Sequence, residues 1–364
     1  MAYSVRSADR TRLTFGLNEV TGAIGDSITV IPLVVALALL TEISLPHVLL
    51  AFGAFQVVWG VRYGLPISVE PMKALAALAI AGALTYAELA VAGLVLGVVL
   101  LALGGTGTLH RLEAYIGEPV VRGVQLAVGL VLLETAAGLA LGNVPLALAG
   151  VAIAGAVALV GYPRASAIAV LAVGAGLAVV TVGVPTPQLP GFPPPIDLAA
   201  GLSWGVADGI VAQLAMTIGN AALATSLLFA DLLDRDVSPD ELSTSMGAMN
   251  LAAVPLGGIP MCHGCDGVAG KHAFGARTGG SNVVLGVAYV AVALVASGAL
   301  VAAFPLAMLG VLLAVVAVSV AAHVRASDHL GLSVGIGLLA VVGNLGVAFV
   351  AGVLAYQVLV RRAA

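Results

Sequence analysis

Long apolar stretches, each about the length that crosses a bilayer as a helix, follow one another through almost all of the 364-residue chain. Hydrophobic residues make up 61% of the sequence and charged residues only 9%, which is more apolar surface than a water-soluble fold of this size can bury. The period-two alternation of membrane barrels is absent. The sequence therefore predicts an all-α polytopic membrane protein with room for roughly 12 to 14 spans. The net charge of −4 gives no indication of nucleic-acid binding.

Fourteen apolar segments define the predicted spans. Before a proline-rich stretch at residues 184–195 they lie near 15–41, 47–61, 66–82, 86–105, 117–138, 143–161 and 165–184. After it they lie near 203–230, 241–256, 259–275, 281–303, 304–323, 330–344 and 346–361. The proline-rich stretch has no hydrophobic period and is predicted to be a linker. An odd number of spans on each side implies that the two halves have opposite orientations in the membrane.

The basic residues provide an independent test of this map. With the N-terminus in the cytoplasm, no predicted outer loop contains Lys or Arg, and one basic residue, Lys73, is predicted to lie inside the membrane. We therefore expect a multi-pass protein of the plasma membrane with both termini cytoplasmic. The basic residues expected in the tails or at the inner side are Arg6, Arg10, Arg12, Arg62, Arg111, Arg122, Arg164, Arg235, Lys271, Arg277, Arg325, Arg361 and Arg362.

Two similar interruptions break the hydrophobic pattern, in the third and tenth predicted spans. The first reads P-I-S-V-E-P-M-K-A-L, with Pro71 and Met72 at its centre, and the second reads G-G-I-P-M-C-H-G-C-D-G, with Pro260 and Met261. Proline is favoured in the first turn of a helix, so each Pro-Met step is predicted to start a helix in the middle of the membrane. The N-terminus of such a half-helix carries free N–H groups and a partial positive charge. Two of them in corresponding halves predict the anion site of a secondary transporter.

A weak internal repeat indicates that the two interruptions correspond. The segment A-I-G-D-S around Asp26 in the first span is similar to T-I-G-N-A around Asn220 in the eighth. A Pro-Met step follows each segment at a similar distance, so the alignment matches Pro71 with Pro260. Two matches in the same order favour a duplicated architecture over chance similarity.

These segments resemble the molybdate transporter family, which is related to the sulfate permeases. The string G-I-P-M-C-H-G-C-D-G-V-A-G-K-H-A-F-G-A-R-T-G (258–279) is similar to the second signature of that family, and P-I-S-V-E-P-M-K-A (66–74) is similar to the first. Residues 22–32 and 213–224 fit the family as well. The chain departs from the family pattern at Glu70, Ala215, Cys265 and Asp266.

The resemblance implies two inverted seven-span repeats with broken third and tenth spans, folded into a core domain and a gate domain. The core would comprise residues 1–115 (spans 1–4) and 199–303 (spans 8–11). The gate would comprise residues 116–198 (spans 5–7 and the linker) and 304–364 (spans 12–14). It also implies a secondary active transporter of molybdate, with sulfate or tungstate as related substrates, bound between the facing ends of the broken spans. No cofactor, metal site or enzymatic activity is expected.

A tetrahedral dianion requires hydrogen-bond donors and positive potential, and the two interruptions are predicted to contain both. Lys73 adds a full charge, although it is also placed to form a structural ion pair with Glu70, one turn away. The predicted donors are the backbone N–H groups of Met72, Lys73 and Ala74 at the first step and of Met261, Cys262 and His263 at the second. Pro71 and Gly264 complete the predicted substrate-binding residues of the two steps.

Other polar residues within spans are candidates for binding or coupling. Asp26, beside Ser27 in the first span, and Glu70 are carboxylates that either carry a coupling proton or hold helices together. His263 is a candidate to donate to the anion or to take up a proton. The alternative is a structural role, in which its ring nitrogens form hydrogen bonds within the fold.

One face of the eighth span is polar, because Gln213, Thr217 and Asn220 recur at intervals of four and three residues. This face either lines the site or joins helices by hydrogen bonds.

The expected partners are the oxyanion, a coupling proton or sodium ion, and membrane lipid, without nucleic acid. The sequence leaves the oligomeric state open, a homodimer included.

Three other functions remain open. Cys262 and Cys265 form a C-x-x-C pair that would suit a membrane thiol or metal protein, although no second cysteine pair is present to complete a structural zinc site. An anion channel would conduct without coupling. A sulfate, nucleobase or other permease of the same fold would differ only in its substrate, and competition by uracil would distinguish the nucleobase case.

Overall fold

The computed structural model describes three stretches of the chain, residues 12–109, 115–193 and 195–363. Arg6, Arg10 and Arg111, which were expected on the cytoplasmic side, lie outside the described residues. Within the described stretches a helix lies at each of the fourteen predicted span positions. We number these helices α1 to α14.

The helices of the first half are α1 (Leu17–Leu40), α2 (Leu45–Tyr63), α3 (Lys73–Ile80), α4 (Tyr86–Thr106), α5 (Glu118–Leu141), α6 (Val144–Leu159) and α7 (Ser166–Val182). Those of the second half are α8 (Trp204–Leu233), α9 (Pro239–Ala253), α10 (Cys265–Ala273), α11 (Gly280–Val295), α12 (Leu306–Ala322), α13 (Leu330–Val342) and α14 (Leu345–Ala363). A short helix, Gly298–Ala302, precedes α12, and a 3-10 turn, His323–Ala326, follows it.

The lengths and composition of these helices are those of a membrane protein. Among the described residues, six helical segments (α2, α4, α5, α8, α14, and α12 together with the turn that follows it, Leu306–Ala326) are long and apolar enough to cross a bilayer. The bent helix α1 makes a seventh if its two parts form one span. α6, α7, α11 and α13 are apolar but shorter, with 10–17 residues each. The predicted helical membrane class is therefore confirmed, whereas the count of fourteen crossings stays a prediction.

The two interruptions meet as a short antiparallel ladder at the centre of the bundle. β1 (Glu70–Pro71) pairs with β2 (Met261–Cys262) so that Glu70 lies opposite Cys262 and Pro71 lies opposite Met261. All four residues are buried. The ladder leaves the N-termini of α3 and α10 in the protein interior.

The two half-helices do not begin at equivalent positions. α3 begins at Lys73, directly after its Pro-Met step, but Pro71 lies in β1 and not in the first turn of the helix, where it was predicted. α10 begins only at Cys265, behind the extended residue Gly264, so the prediction that the second helix starts at its Pro-Met step is wrong. The side-chain amide of Asn250 explains the delay, because it accepts from the N–H of Met261 at 2.7 Å and donates to the carbonyl of the same residue at 2.8 Å. These two bonds hold Met261 in the strand.

Glycines allow the central helices to approach closely. A Cβ on Gly53 of α2 would lie 2.8 Å from the carbonyl oxygen of Gly286 on α11, and a Cβ on Gly247 of α9 would lie 2.7 Å from that of Gly97 on α4. Contacts this short leave no room for a side chain, as expected where small residues mediate helix packing in membranes. Each helix beside one interruption is thus packed tightly against a helix of the other half.

Two long helices depart from regular α geometry near the interruptions. Pro32 lies within α1, and the parts Leu17–Ile28 and Val30–Leu40 meet at 44° because proline removes a backbone hydrogen bond. α8 widens into a π-helix over Thr217–Ala224. Such segments frequently occur at functional sites, and this one lies beside α10.

Candidate functional site

Lys73 lies at the centre of a buried ionic cluster where the half-helices meet. Its side chain is 6% exposed, and its Nζ lies 2.9 Å from Oε2 of Glu70 and 2.8 Å from Oδ2 of Asp266. The ion pair with Glu70 is the structural alternative predicted from the sequence. Asp266, in the first turn of α10, is a second partner that was not predicted. One ammonium group therefore neutralises two carboxylates, one from each interruption.

The N-terminus of α10 already holds an anion, the carboxylate of Glu70. Its Oε1 accepts a hydrogen bond from the backbone N–H of Gly267 at 2.8 Å and lies 3.1 Å from the hydroxyl oxygen of Ser68, which is closer to Asp26. A Cβ at either Gly264 or Gly267 would overlap this carboxylate, so both positions require glycine. Negative charge is stabilised at a helix N-terminus, and this site uses that effect for a carboxylate supplied by the protein.

Three of the six backbone donors predicted for the anion have partners within the protein in this conformation. The N–H of Ala74 donates to Oε1 of Gln213 at 2.9 Å, so that side chain caps α3. The N–H of Met72 donates to the carbonyl of Pro260 at 2.9 Å. The N–H of Met261 donates to the asparagine described above.

The polar face predicted on α8 lies against the half-helices. Gln213 donates from Nε2 to the hydroxyl of Thr217 at 3.0 Å. The side-chain oxygen of Asn220 accepts from the thiol of Cys265 at 2.9 Å and from Nε2 of Gln125 on α5 at 3.4 Å. Gln213, Thr217 and Asn220 are all at least nine-tenths buried. The face thus joins α8 to α3, α10 and α5 by hydrogen bonds.

His263 is fully buried, and both of its ring nitrogens have partners. Nδ1 lies 2.9 Å from the carbonyl oxygen of Ser68, and Nε2 lies 2.7 Å from the hydroxyl of Ser245. A neutral imidazole satisfies both contacts, because Nδ1–H donates to the carbonyl and Nε2 accepts from the hydroxyl. This geometry favours the structural alternative for His263 over a role in donating to an anion.

A second buried ion pair joins α1 to α10. Lys271 and Asp26 are both 0% exposed, and Nζ of the lysine lies 3.0 Å from Oδ2 of the aspartate. Ser68 donates to Oδ1 of Asp26 at 2.5 Å, and Gln56 donates to Oδ2 at 2.8 Å. Lys271 was expected at the inner end of its span, and the structure shows that its ammonium is fully buried in the protein. Lys271 is in the last turn of α10, which packs against α1 where Asp26 lies.

Ser27 and Cys262 take no part in the ion pairs of the two charged clusters. The hydroxyl of Ser27 lies 3.4 Å from that of Tyr289 and lines an apolar cavity of about 470 Å³ between α1, α7 and α11, apart from the charged cluster. Cys262 is buried, with its thiol 3.9 Å from the carbonyl oxygen of Pro71, and both it and Cys265 are free thiols. Within the described residues no group of three or more His, Cys, Asp or Glu side chains is arranged to hold a metal ion.

Besides Asp266, the sequence analysis missed a second residue at the site. His323, in the 3-10 turn after α12, has its Nε2 3.2 Å from Oδ1 of Asp266. It lies far from both interruptions in the chain, and no spacing rule connects it with them. Its position next to the inner end of a predicted span, in a chain with only six histidines, is the one signal that the sequence offers.

Apolar helices of membrane length, with two interrupted helices meeting at a buried ionic cluster, define a transmembrane transporter. Solved structures share this fold. The transmembrane domain of a cyanobacterium bicarbonate transporter, BicA, superposes with a TM-score of 0.67 at 17% identity, covering 92% of this chain and 97% of that one. The murine anion transporter Slc26a9 in its inward-facing state gives a TM-score of 0.69 at 16% identity, covering 98% of this chain and 69% of that one.

The chain belongs to the molybdate transporter family. Residues 18–132 and 205–320 match the family described as molybdate transporter of MFS superfamily. Molybdate transporter 2 of Arabidopsis thaliana is 31% identical over 354 residues, covering 81% of this chain and 76% of the relative. Molybdate transporter 1 of the same plant is 30% identical over 418 residues, covering 97% and 91%. The resemblance seen in the two interruptions is confirmed, and these relatives are transporters rather than enzymes.

Proposed function

We propose that this protein carries molybdate across the membrane as a secondary active transporter, with the anion bound at Lys73. The observation that carries the proposal is the ammonium of Lys73, held between the two half-helices and paired with a carboxylate from each interruption. Membership of the molybdate transporter family supports the choice of substrate. Tungstate and sulfate are tetrahedral dianions as well and belong to the same proposed substrate class.

The two carboxylates on Lys73 differ in how readily an anion can replace them. Glu70 is 1% exposed and is fixed by Gly267 and Ser68, whereas Asp266 is 23% exposed. An arriving oxyanion would displace Asp266 and take its position on the ammonium, leaving Glu70 in place. A charge-assisted hydrogen bond of this kind is short and about twice as strong as a neutral one. Binding thus exchanges Asp266 for the oxyanion on the ammonium of Lys73. The substrate can be released because Asp266 can take its position back.

We further propose that the two halves form inverted repeats, with the core and gate domains implied by the resemblance. The strand ladder supports this proposal. Under the alignment of Pro71 with Pro260, the pair Pro71–Met261 maps onto Met72–Pro260, and the N–H of Met72 donates to the carbonyl of Pro260 at 2.9 Å. The register is therefore symmetric under the repeat. Movement of α1–α4 and α8–α11 against the other helices would expose Lys73 alternately to the two sides.

The proposed orientation predicts a labelling pattern. In a background lacking Cys262 and Cys265, Arg62→Cys and Arg325→Cys should react with an impermeant thiol reagent only from the cytoplasm. Gln188→Cys in the linker should react only from outside, because seven crossings separate the linker from the cytoplasmic N-terminus. All three positions are exposed. Labelling of Gln188→Cys and Arg62→Cys from the same side would contradict the proposed count of crossings and the cytoplasmic location of both termini.

Uptake of labelled molybdate into proteoliposomes tests the proposed function directly. We expect protein-dependent uptake that tungstate and sulfate reduce by competition, because all three ions present the same four-oxygen surface to Lys73. Uracil and bicarbonate should compete weakly, and protein-free liposomes give the background. Competition by uracil without competition by the oxyanions would replace the proposal with a nucleobase permease. Ionic currents above the turnover of a carrier would indicate a channel.

A further inference from the structure

Both ring nitrogens of His323 face oxygen atoms that act as hydrogen-bond acceptors. Its Nδ1 lies 3.2 Å from the backbone carbonyl oxygen of Val320. A carbonyl oxygen can only accept, so Nδ1 must carry a hydrogen. Its Nε2 lies 3.2 Å from Oδ1 of Asp266, and an ionised carboxylate can only accept as well. This contact is therefore favourable only if a second proton lies between the imidazole and the carboxylate.

The other oxygen of Asp266 faces the proposed substrate site. Oδ2 accepts from Nζ of Lys73 at 2.8 Å, so Asp266 has the lysine on one side and His323 on the other. We propose that Asp266 and His323 together hold one exchangeable proton, and that this proton is taken up with the oxyanion. The inference rests on the proposed function, since it assumes that the anion binds at Lys73. Asp266 and His323 join α10 to the turn after α12, which are elements of the proposed core and gate.

The coupling follows from the partners of Asp266. Without the extra proton, the carboxylate needs the ammonium of Lys73, and the anion has to compete for it. With the proton shared with His323, Asp266 remains satisfied when the anion takes Lys73. Proton binding therefore favours anion binding, and by reciprocity anion binding favours proton binding. Loss of the proton leaves two acceptors facing each other and opens the contact between α10 and the turn after α12.

The other charged groups near this turn are already paired or exposed. Asp266 attracts a charged imidazole and Lys73 repels it. On α5, which packs against the same turn, Arg122 pairs with Glu118 at 2.6 Å. Arg325, two residues further on, is exposed, and neither α12 nor α13 contains a charged residue. Asp266 is therefore the group that determines whether the imidazole keeps its second proton.

The test is molybdate binding and proton uptake by the purified full-length protein. One linked proton changes the dissociation constant by up to about tenfold per pH unit. We expect wild-type protein to bind molybdate more tightly at about pH 6 than at about pH 8, the range in which histidine ordinarily titrates. In weak buffer, molybdate binding should remove up to one proton per site from solution.

His323→Gln keeps an N–H donor for Asp266 but cannot take up a proton. We expect it to bind molybdate with little dependence on pH and with proton uptake reduced by more than half. His329→Gln, an exposed histidine just beyond the same turn, is the matched control and should behave like wild type. Wild-type pH dependence in His323→Gln, or pH-independent binding in wild type, would overturn the inference while leaving molybdate transport in place. Absence of molybdate binding by wild type at every pH would instead refute the proposed function.

Discussion

Lys73→Met is expected to abolish most molybdate binding and uptake. A hydrogen bond to a charged group contributes about 1.5–3 kcal/mol, so the affinity should fall by about ten- to a hundredfold. The substitution also leaves Glu70 and Asp266 without their common cation, and breaking a buried pair in this way costs about 3–5 kcal/mol. Equilibrium binding of labelled molybdate and the unfolding midpoint in detergent should therefore be measured on the same sample.

Double variants separate the two effects. Combining Lys73→Met with Glu70→Gln or with Asp266→Asn removes a stranded carboxylate and should recover much of the stability but not the affinity. Near-normal affinity in either double variant would show that Lys73 only neutralises its partners and does not hold the anion. Lys73→Arg should be intermediate, because it keeps the charge but has a wider, planar head group. Arg62→Met removes an exposed positive charge, 66% accessible, and controls for the change in net charge.

The helix positions could be predicted because each depends on local sequence. Apolar runs of membrane length, separated by glycine and proline, were sufficient to place a helix at each of the fourteen positions. The eleventh segment, predicted as 281–303, is the exception in length, because α11 ends at Val295 and Gly298–Ala302 is a separate helix. The start of α3 at Lys73 was close to the local prediction, because it directly follows the Pro-Met step, although Pro71 belongs to β1 and not to the first turn. The start of α10 was not, because it depends on Asn250, whose amide keeps Met261 extended. A side chain from a neighbouring helix thus overrode the local preference.

The ionic cluster illustrates the same limit. Glu70 and Lys73 are only three residues apart, so their contact could be predicted, although the structure makes it across the junction between β1 and α3 rather than within one helix. Asp266 and His323 reach the same cluster through tertiary packing, which one sequence does not specify. His263 was the more prominent histidine because it belongs to a signature, yet both of its nitrogens are used within the fold. The signature containing His263 thus identified the region of the site. Only the hydrogen-bond partners show which of its side chains have a structural role.

The buried pairing of Lys271 could not be predicted for a related physical reason. Near the end of a span, a lysine ordinarily extends its ammonium to the aqueous surface. Here the half-helix is short, and a fully buried carboxylate lies 3.0 Å away. Pairing with Asp26 avoids the cost of leaving that carboxylate without a cation in the interior. The positive-inside pattern could not reveal this exception, because it counts charges along the chain and contains no information on distant partners.

Lys271→Met is therefore expected to destabilise the protein by about 3–5 kcal/mol, the cost of removing one partner of a buried ion pair. Asp26 would remain buried beside neutral donors such as Ser68 and Gln56, which cannot replace the lost charge. The free energy of unfolding in detergent is the measurement. Arg122→Met breaks a pair whose side chains are 25% and 37% exposed, so it should cost less than about 1 kcal/mol.

The double variant Asp26→Asn with Lys271→Met decides what the pair is for. If the pair is structural, removing both charges should restore most of the lost stability and leave molybdate uptake within a fewfold of wild type, because Lys73 keeps its own partners. If Asp26 is instead a coupling group, stability should return without uptake. Wild-type stability in Lys271→Met alone would contradict the charged pair altogether, because an ionised carboxylate cannot lose its cation in this interior at no cost. Asp26 would then be protonated in the folded protein.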